Sequence, residues 1–430
     1  MFTAIGELFK GDRIGEKVRV RGWIYRTRSS GGIAFIVLRD SSGIVQVTVK
    51  KGNLPEDQFN DARKALIESS VEIEGEIAAD KRAPGGIEIR ASMFNVVSFA
   101  EPFPITEDKS EEWIMDQRHL WIRSREMTAM LKVRSTVFGA VDEFFRSRGY
   151  YEFQAPTLTG SNCEGGATQF EVKYFDRKAY LTQSWQLYAE AAIFSLEKIY
   201  DIAPSFRAEP SKTSRHLTEY WHAEMEVAWA HLDDVLKEAE ELISFICRKV
   251  AEENAPELEI FGVNPDDLLK ITPPFPRVKY DDALKMLREA GMDVPYGKDL
   301  RTLEEEKLSK MFDKPVFVTH YPEEIMAFYK PSDPNDPGKA LCFDLLATDG
   351  YGEIIGGSER ETNIEVLKEK LIRDGEDPAN YEWYMDLRRY GSVPHSGFGM
   401  GVERVVRWIL RLDHIKDAIG FPRLRNRIYP

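Results

Sequence analysis

Two arginines, Arg207 and Arg404, anchor the chemistry that this chain can do. Arg207 stands in a Phe206-Arg207-Ala208-Glu209 unit, followed by a polar loop with Arg215 and His216, then by Glu219, Glu224 and Glu226. Arg404 ends the run Gly397-Phe398-Gly399-Met400-Gly401-Val402-Glu403-Arg404. Activating a carboxylate with ATP needs positive charge on the α-phosphate and on the leaving pyrophosphate. Arginines on separate elements can hold opposite ends of a triphosphate, and each planar fork suits two phosphate oxygens. The glycines recur at period two, which clears one face of a strand for a flat base or a neighbouring backbone. Glu353 and Glu226 supply hard oxygen donors of the kind Mg²⁺ takes, so ATP and Mg²⁺ are the expected cofactors. A lone arginine is usually a surface ion-pair partner, and a lone alternation of glycines says little. The combination, in this order, carries the nucleotide reading.

These groups need a sheet to hold them, and the chain's organisation provides one. Strand patterns at Lys17–Tyr25, Ala34–Arg39 and Ile44–Val49 are followed by a helical stretch near Glu56–Ile67. Further strands at Ser70–Ala78 and Ile87–Phe99 flank an Ala83-Pro84-Gly85-Gly86 turn. This order predicts a small all-β, five-stranded Greek-key barrel over residues 1–103. A charged connector spans 104–126 and a larger domain 127–430, with a peripheral insertion at about 260–335. Val133, Val137, Val141, Phe144 and Phe145 predict a helix that stops at Gly149. Leu232, Val235, Leu236, Ala239, Leu242, Ile243 and Ile246 form another apolar stripe, which reads as core packing.

Composition narrows the class. Of 430 residues, 43% are hydrophobic and 30% charged, which suits a water-soluble protein with a real core. Cys163, Cys247 and Cys342 match no zinc or disulfide spacing, so a reducing, cytoplasmic setting is expected. No apolar run is long enough for a membrane span, and no export signal is expected. The formal charge of −14 argues against a non-specific nucleic-acid coat. Residues 1–50 run against that trend, with nine Lys/Arg against four Asp/Glu, or +5, which marks a nucleic-acid-facing end.

Gly149…Pro156, Phe206–Glu226 and Gly397–Val406 resemble the three signature motifs of class II aminoacyl-tRNA synthetases. The barrel ahead of them looks like the anticodon-binding OB-fold of the aspartyl/asparaginyl/lysyl subgroup. Five strings bring the likeness to the archaeal-type asparaginyl branch, over essentially the full chain. They are Asn162–Thr168, Tyr180–Ala189, Arg215–Glu219, Tyr351–Arg360 and Arg388–Gly399. The resemblance implies an α+β fold, an antiparallel six- to seven-stranded sheet flanked by helices, and a homodimer. It implies that Glu164 binds the substrate ammonium and that Arg207 contacts the substrate carboxylate and the α-phosphate. Glu209, Arg215 and His216 would hold the adenine and γ-phosphate end, with Leu217 and Gly401 completing that lining. Glu353 would bind Mg²⁺, Arg360 would reach the substrate side chain, and Arg404 would stabilise a bent ATP. Ser184, Gln186 and Gly357 would line the amino-acid site. In the barrel, Phe35 would stack on an anticodon base, Gln46 would read the central uridine, and Arg28 would contact phosphate.

Substrate choice turns on few positions. Aspartyl enzymes of the subgroup carry lysine where this chain has Ala189, and aspartate where it has Glu224. A missing cation disfavours a β-carboxylate, and a glutamate can accept from an amide while repelling an acid. L-asparagine and tRNA(Asn) are therefore the expected substrates. An aspartyl enzyme, an ammonia-dependent asparagine-forming relative and a non-charging paralogue are the alternatives. The first lacks its lysine here, the second type lacks the barrel, and the third would lose Arg207, Glu164 or Arg404.

Overall fold

The computed structural model describes residues 1–106, 108–160, 169–209 and 213–430. They form two compact units, Met1–Gln117 and Arg118–Pro430, so the division falls inside the expected connector.

The first unit is a closed barrel. Its strands are β1 (Lys17–Ser30), β2 (Ile33–Arg39) and β3 (Ile44–Lys50), then α1 (Glu56–Lys64), β4 (Ser70–Ala79) and β5 (Ile87–Ser98). They pair in the order β1-β2-β3-β5-β4. Closure leaves no sheet edge unpaired, which suits a small domain. Alternation along β2 sends Ala34, Ile36 and Leu38 inward and leaves Phe35 and Val37 on the outer face. A bulge between Ile24 and Arg26 bends β1, so the strand keeps pairing with β2 out to Ser30, beyond the expected end at Tyr25.

The second unit is built on one mixed sheet. In chain order its main elements are α2 (Arg125–Ser147), β6 (Tyr151–Glu152), α3 (Gln186–Leu196), β7 (Lys198–Phe206), β8 (Glu219–Ala228) and α4 (Leu232–Glu253). There follow β9 (Arg277–Lys279), α5 (Thr302–Ser309), β10 (Val316–Thr319), β11 (Cys342–Ala347), β12 (Gly352–Glu359), α6 (Glu382–Arg389), β13 (His395–Gly401) and α7 (Val402–Ile409). The sheet order is β9-β10-β11-β12-β13-β8-β7-β6. It has eight strands where six or seven were expected, because β6 and β9 add short parallel pairings at the two edges. Strands that short carry no readable periodicity. The expected insertion is also not peripheral throughout, since β9 and β10 come from it and extend the sheet.

The two faces of this sheet differ in kind. On one, Met225, Val227, Phe343 and Phe398 pack against Val133, Val137, Val141 and Phe144 of α2 and the apolar stripe of α4. Each fully buried side chain of this size contributes about 1.5–3 kcal/mol. The other face carries polar groups and glycines in register: Glu224 beside Gly399 beside Gly356, and Glu226 beside Gly397 beside Ser358. α3 packs on that face against β7 and β8. Among the described residues, no helix is long and apolar enough to cross a membrane.

Candidate active site

A cavity of about 570 Å³ opens over the polar face. It is lined by Arg207, Glu209, Arg215, His216, Leu217, Glu353, Gly401 and Arg404, which is the whole set expected at ATP. Tyr220 and His222 of β8 and the terminal residues Leu424, Arg425 and Asn426 add walls that sequence reasoning did not name. Arg207 lies one residue past β7, where its N–H still donates to the Thr218 carbonyl across the loop. Its guanidinium sits 5.7 Å from the centre of the Tyr220 ring.

The cationic groups are positioned by carboxylates. Arg404 donates to Glu353 Oε2 at 2.7 Å and to the Glu353 carbonyl at 3.1 Å. Arg215 donates to Glu305 Oε2 at 2.8 Å, and the same oxygen accepts from the Glu353 amide at 3.1 Å. Glu305 lies on α5, within the expected insertion, and was missed for that reason. Gly352 makes this arrangement possible, because its φ is +78° and a Cβ there would strike the Arg215 guanidinium. Burial, reinforced by the Arg404 charge, pushes the His216 imidazole below its usual pKa, so it is neutral near pH 7.

A second carboxylate meets Glu353, and it is not Glu226. A Cβ on Gly356 would lie 3.0 Å from Glu353 Oε1 and 3.5 Å from Asp344 Oδ1, so the two acids converge above that glycine. Burial, then repulsion from Glu353 and Asp299, pushes the Asp344 carboxyl well above its usual range. Crowded carboxylates of this kind fit a divalent cation. Glu226, by contrast, accepts from Arg360 Nε at 2.9 Å and Nη2 at 2.8 Å. Both its oxygens are engaged by a guanidinium, which corrects its expected place at the metal. Glu190, Glu226 and His395 also bring ligand-type atoms within 4.8 Å of one another. Arg360 and Arg388 already neutralise that cluster, so it is an ion-pair network and not a cation site.

The amino-acid residues separate into groups. Glu224 accepts from Ser184 Oγ at 2.6 Å and from the Trp185 amide at 2.9 Å, with His222 Nδ1 at 3.3 Å. Its oxygens are held by protein donors, which weakens its expected role as the amide acceptor. Gln186 and Arg360 instead converge on Glu190: Gln186 Nε2 donates to it at 3.0 Å and Arg360 Nε lies 4.0 Å away. Ala189 is fully buried among Trp185, Ile193, Ile199 and Ala228, so its methyl packs an apolar cluster and does not reach this polar floor. Gly357 faces the opposite side of the sheet, where a Cβ would strike the Phe343 ring. The glycine strip also works differently from expectation. Side chains at Gly397 and Gly399 would collide with Glu226 and His222, so the cleared space is filled by the protein's own polar groups. Glu164 lies outside the described residues.

On the barrel, Arg28, Phe35 and Gln46 fall on one outer face, since Arg28 pairs with Phe35 and Gln46 with Val37. The Arg28 guanidinium sits 4.6 Å from the centre of the Phe35 ring. Gln46 Nε2 donates to Glu88 at 3.2 Å, which fixes its amide. Phe35 is therefore an outer-face aromatic and not a member of the barrel core.

Comparison with known proteins bears on this geometry. Residues 110–425 match the class II tRNA synthetase family (D, K and N), and residues 18–97 match the OB-fold nucleic acid binding domain. The asparagine–tRNA ligase of Thermoplasma acidophilum is 47% identical, over 99% of this chain and 100% of its own. The crystal structure of Pyrococcus horikoshii asparaginyl-tRNA synthetase complexed with asparaginyl-adenylate superposes with a TM-score of 0.94 at 49% identity, covering 97% of both chains. The Entamoeba histolytica asparaginyl-tRNA synthetase, also in complex with asparaginyl-adenylate, gives 0.88 at 32% identity and 97% coverage of both chains.

Proposed function

Because the chain belongs to the class II tRNA synthetases of the D, K and N group, in their asparagine–tRNA ligase branch, we propose the following division of labour. The cavity joins L-asparagine to ATP, forming asparaginyl-adenylate and releasing pyrophosphate, and the product is transferred to tRNA(Asn). The observation that carries this reading is the convergence of Arg207, Arg215, His216, Glu353 and Arg404 on one cavity, over the sheet face that further along carries the Arg360–Glu226 pair. Arg207 bridges the asparagine carboxylate and the α-phosphate, where charge builds as oxygen attacks phosphorus. Arg404 and Arg215 hold the outer phosphates, and neutral His216, Glu209 and Leu217 complete the nucleotide wall. No side chain acts as a nucleophile; alignment and charge do the work.

Mg²⁺ fits Glu353 and Asp344, whose convergence supports the assignment, and it would supply neutralising charge to phosphate oxygens. Arg360 has N–H donors beyond those engaged by Glu226 and Ser358, and these suit the asparagine side-chain oxygen. Phe35, Gln46 and Arg28 form the anticodon-reading face. Assembly as a homodimer and a cytoplasmic location complete the proposal, both supported by the family.

Pyrophosphate exchange with each of the twenty amino acids, using the full chain with ATP and Mg²⁺, tests the central reading. Exchange with asparagine alone is expected. Exchange with aspartate would keep the nucleotide chemistry and overturn the substrate assignment.

A further inference from the structure

Among the described residues one ionic network is fully sealed from solvent, and its central carboxylate, Glu190, stands just outside the strings that carry the resemblance. Glu190 is fully buried on α3, directly after Ala189. Arg388 Nη2 donates to it at 2.6 Å, the Tyr384 hydroxyl lies 2.7 Å from both its oxygens, and Gln186 Nε2 donates at 3.0 Å. His395 Nε2 lies 3.0 Å away, and Arg360 Nε, already paired with Glu226, lies 4.0 Å away. The close partners come from α3, α6 and β13, so one carboxylate ties together three elements around the floor. Burial alone would push the Glu190 carboxyl up, but Arg388, His395 and Arg360 hold it ionised.

The charges sum in an instructive way. Arg360 and Arg388 contribute two positive charges, and Glu226 and Glu190 two negative ones. Arg360, proposed above to meet the substrate side chain, therefore carries no unmatched charge. We propose that Glu190 is a specificity-determining positioning residue: it is the internal countercharge that makes this floor accept a neutral amide and refuse a carboxylate. An amide adds a dipole to a balanced floor and can be satisfied by hydrogen bonds. Aspartate adds a third anion with no matching cation, and an unpaired buried charge is strongly disfavoured. Glu190 does this without touching substrate, by cancelling the Arg388 charge and part of the field of Arg360. The inference rests on the assignment of Arg360 to the asparagine side chain.

Pyrophosphate exchange of the full-length Glu190→Gln variant with asparagine and with aspartate tests it. Glutamine keeps the shape and most hydrogen bonds and removes one negative charge. The ratio of kcat/KM for asparagine over aspartate is expected to fall about tenfold or more, through a lower KM for aspartate, with the KM for ATP unchanged. An equal loss with both amino acids, leaving the ratio intact, would reduce Glu190 to scaffolding and overturn the proposal. Arg388→Gln carries the same test with the opposite sign. It leaves the floor with excess negative charge, so the preference for asparagine is expected to rise, and a fall overturns the proposal even if Glu190→Gln does not fold. Arg360→Leu separates the premise from the inference. An unchanged KM for asparagine in that variant would remove the side-chain assignment itself, whereas a raised KM with no selectivity change in Glu190→Gln would remove only the countercharge.

Discussion

The open nucleotide cavity and the sealed floor behind it are built from the same residue types with opposite charge logic. In the cavity, carboxylates crowd one another: Glu353 and Asp344 meet above Gly356, and burial with added repulsion from Glu353 pushes Glu305 up to about 7. The cationic side chains there rest on those acids from the rim. In the floor, Glu226 is paired with Arg360 and Glu190 with Arg388. The cavity holds crowded carboxylates whose repulsion the proposed metal-bound triphosphate would relieve. The floor is already neutral, and it discriminates because anything charged would upset it. A site that must bind charge is left unbalanced, and a site that must refuse charge is balanced in advance.

Substitutions should therefore act differently in the two regions. Removing Arg207, the cation at the seam, is expected to have the largest effect. Arg207→Ala should lower pyrophosphate exchange by about 10³-fold or more, since it deletes charge stabilisation at the reacting phosphorus. Its tRNA affinity, measured by filter binding, should be close to that of the parent. Retained exchange would show that Arg404 and Arg215 suffice and would redraw the cavity. Asp344→Asn comes next. It relieves repulsion in the empty protein, so its Tm should rise. Its exchange rate should drop by about 10²-fold, and more Mg²⁺ should be needed for half-maximal rate. A variant that loses stability along with activity would mean that Asp344 is a structural acid and that the cavity is balanced after all.

What the sequence made legible follows the same division. Seven of the eight residues expected at the nucleotide sit in short local strings, FRAE, RHL and GxGxGxxR, and these together with Glu353 line one cavity. Asp344 had a signal that went unused: a lone acid at a half-buried position in the apolar strand Cys342–Ala347. The floor was harder to see. Glu190 meets partners nearly two hundred residues away, with sequence separations of 194 for Tyr384 and 205 for His395. In the helical run QLYAEAAIFSL it reads as a polar spacer. Ala189 and Gly357 failed for a simpler reason: helix phase and strand alternation turn them to other faces, and one-residue errors of phase exchange faces completely. The edge strands β6 and β9 were too short to announce themselves.

The barrel provides a control on both regions. Phe35→Ala should weaken tRNA charging by about tenfold, as expected for the loss of one base-stacking platform. Exchange with asparagine needs no tRNA and should be untouched. Equal losses in charging and exchange would show that Phe35 supports the fold, against its place on the outer face of β2.

The smallest expected effect tests a carboxylate that, like Glu224 beside it, has no guanidinium partner among the described residues. Asp201 lies on β7 directly across from Glu224, is buried, and accepts from the Ile202 amide. Burial pushes its carboxyl up to about 7, and the charges of Glu224 and Glu152 add to the shift. The folded pKa is above the unfolded value of about 3.9, so the folded state binds the extra proton. The stability this proton confers is complete below about pH 4 and is lost as pH rises through about 7. Asparagine at this position mimics the protonated acid at every pH. Asp201→Asn should therefore match the parent's Tm near pH 4.5 and exceed it by a few degrees near pH 8, read by scanning calorimetry. A Tm gain that is the same at both pH values would mean that Asp201 is ionised throughout, and that the floor tolerates an unmatched anion. That outcome would also weaken the case that charge balance refuses aspartate, because Asp201 would then join Glu224 as a carboxylate on this sheet face without a guanidinium.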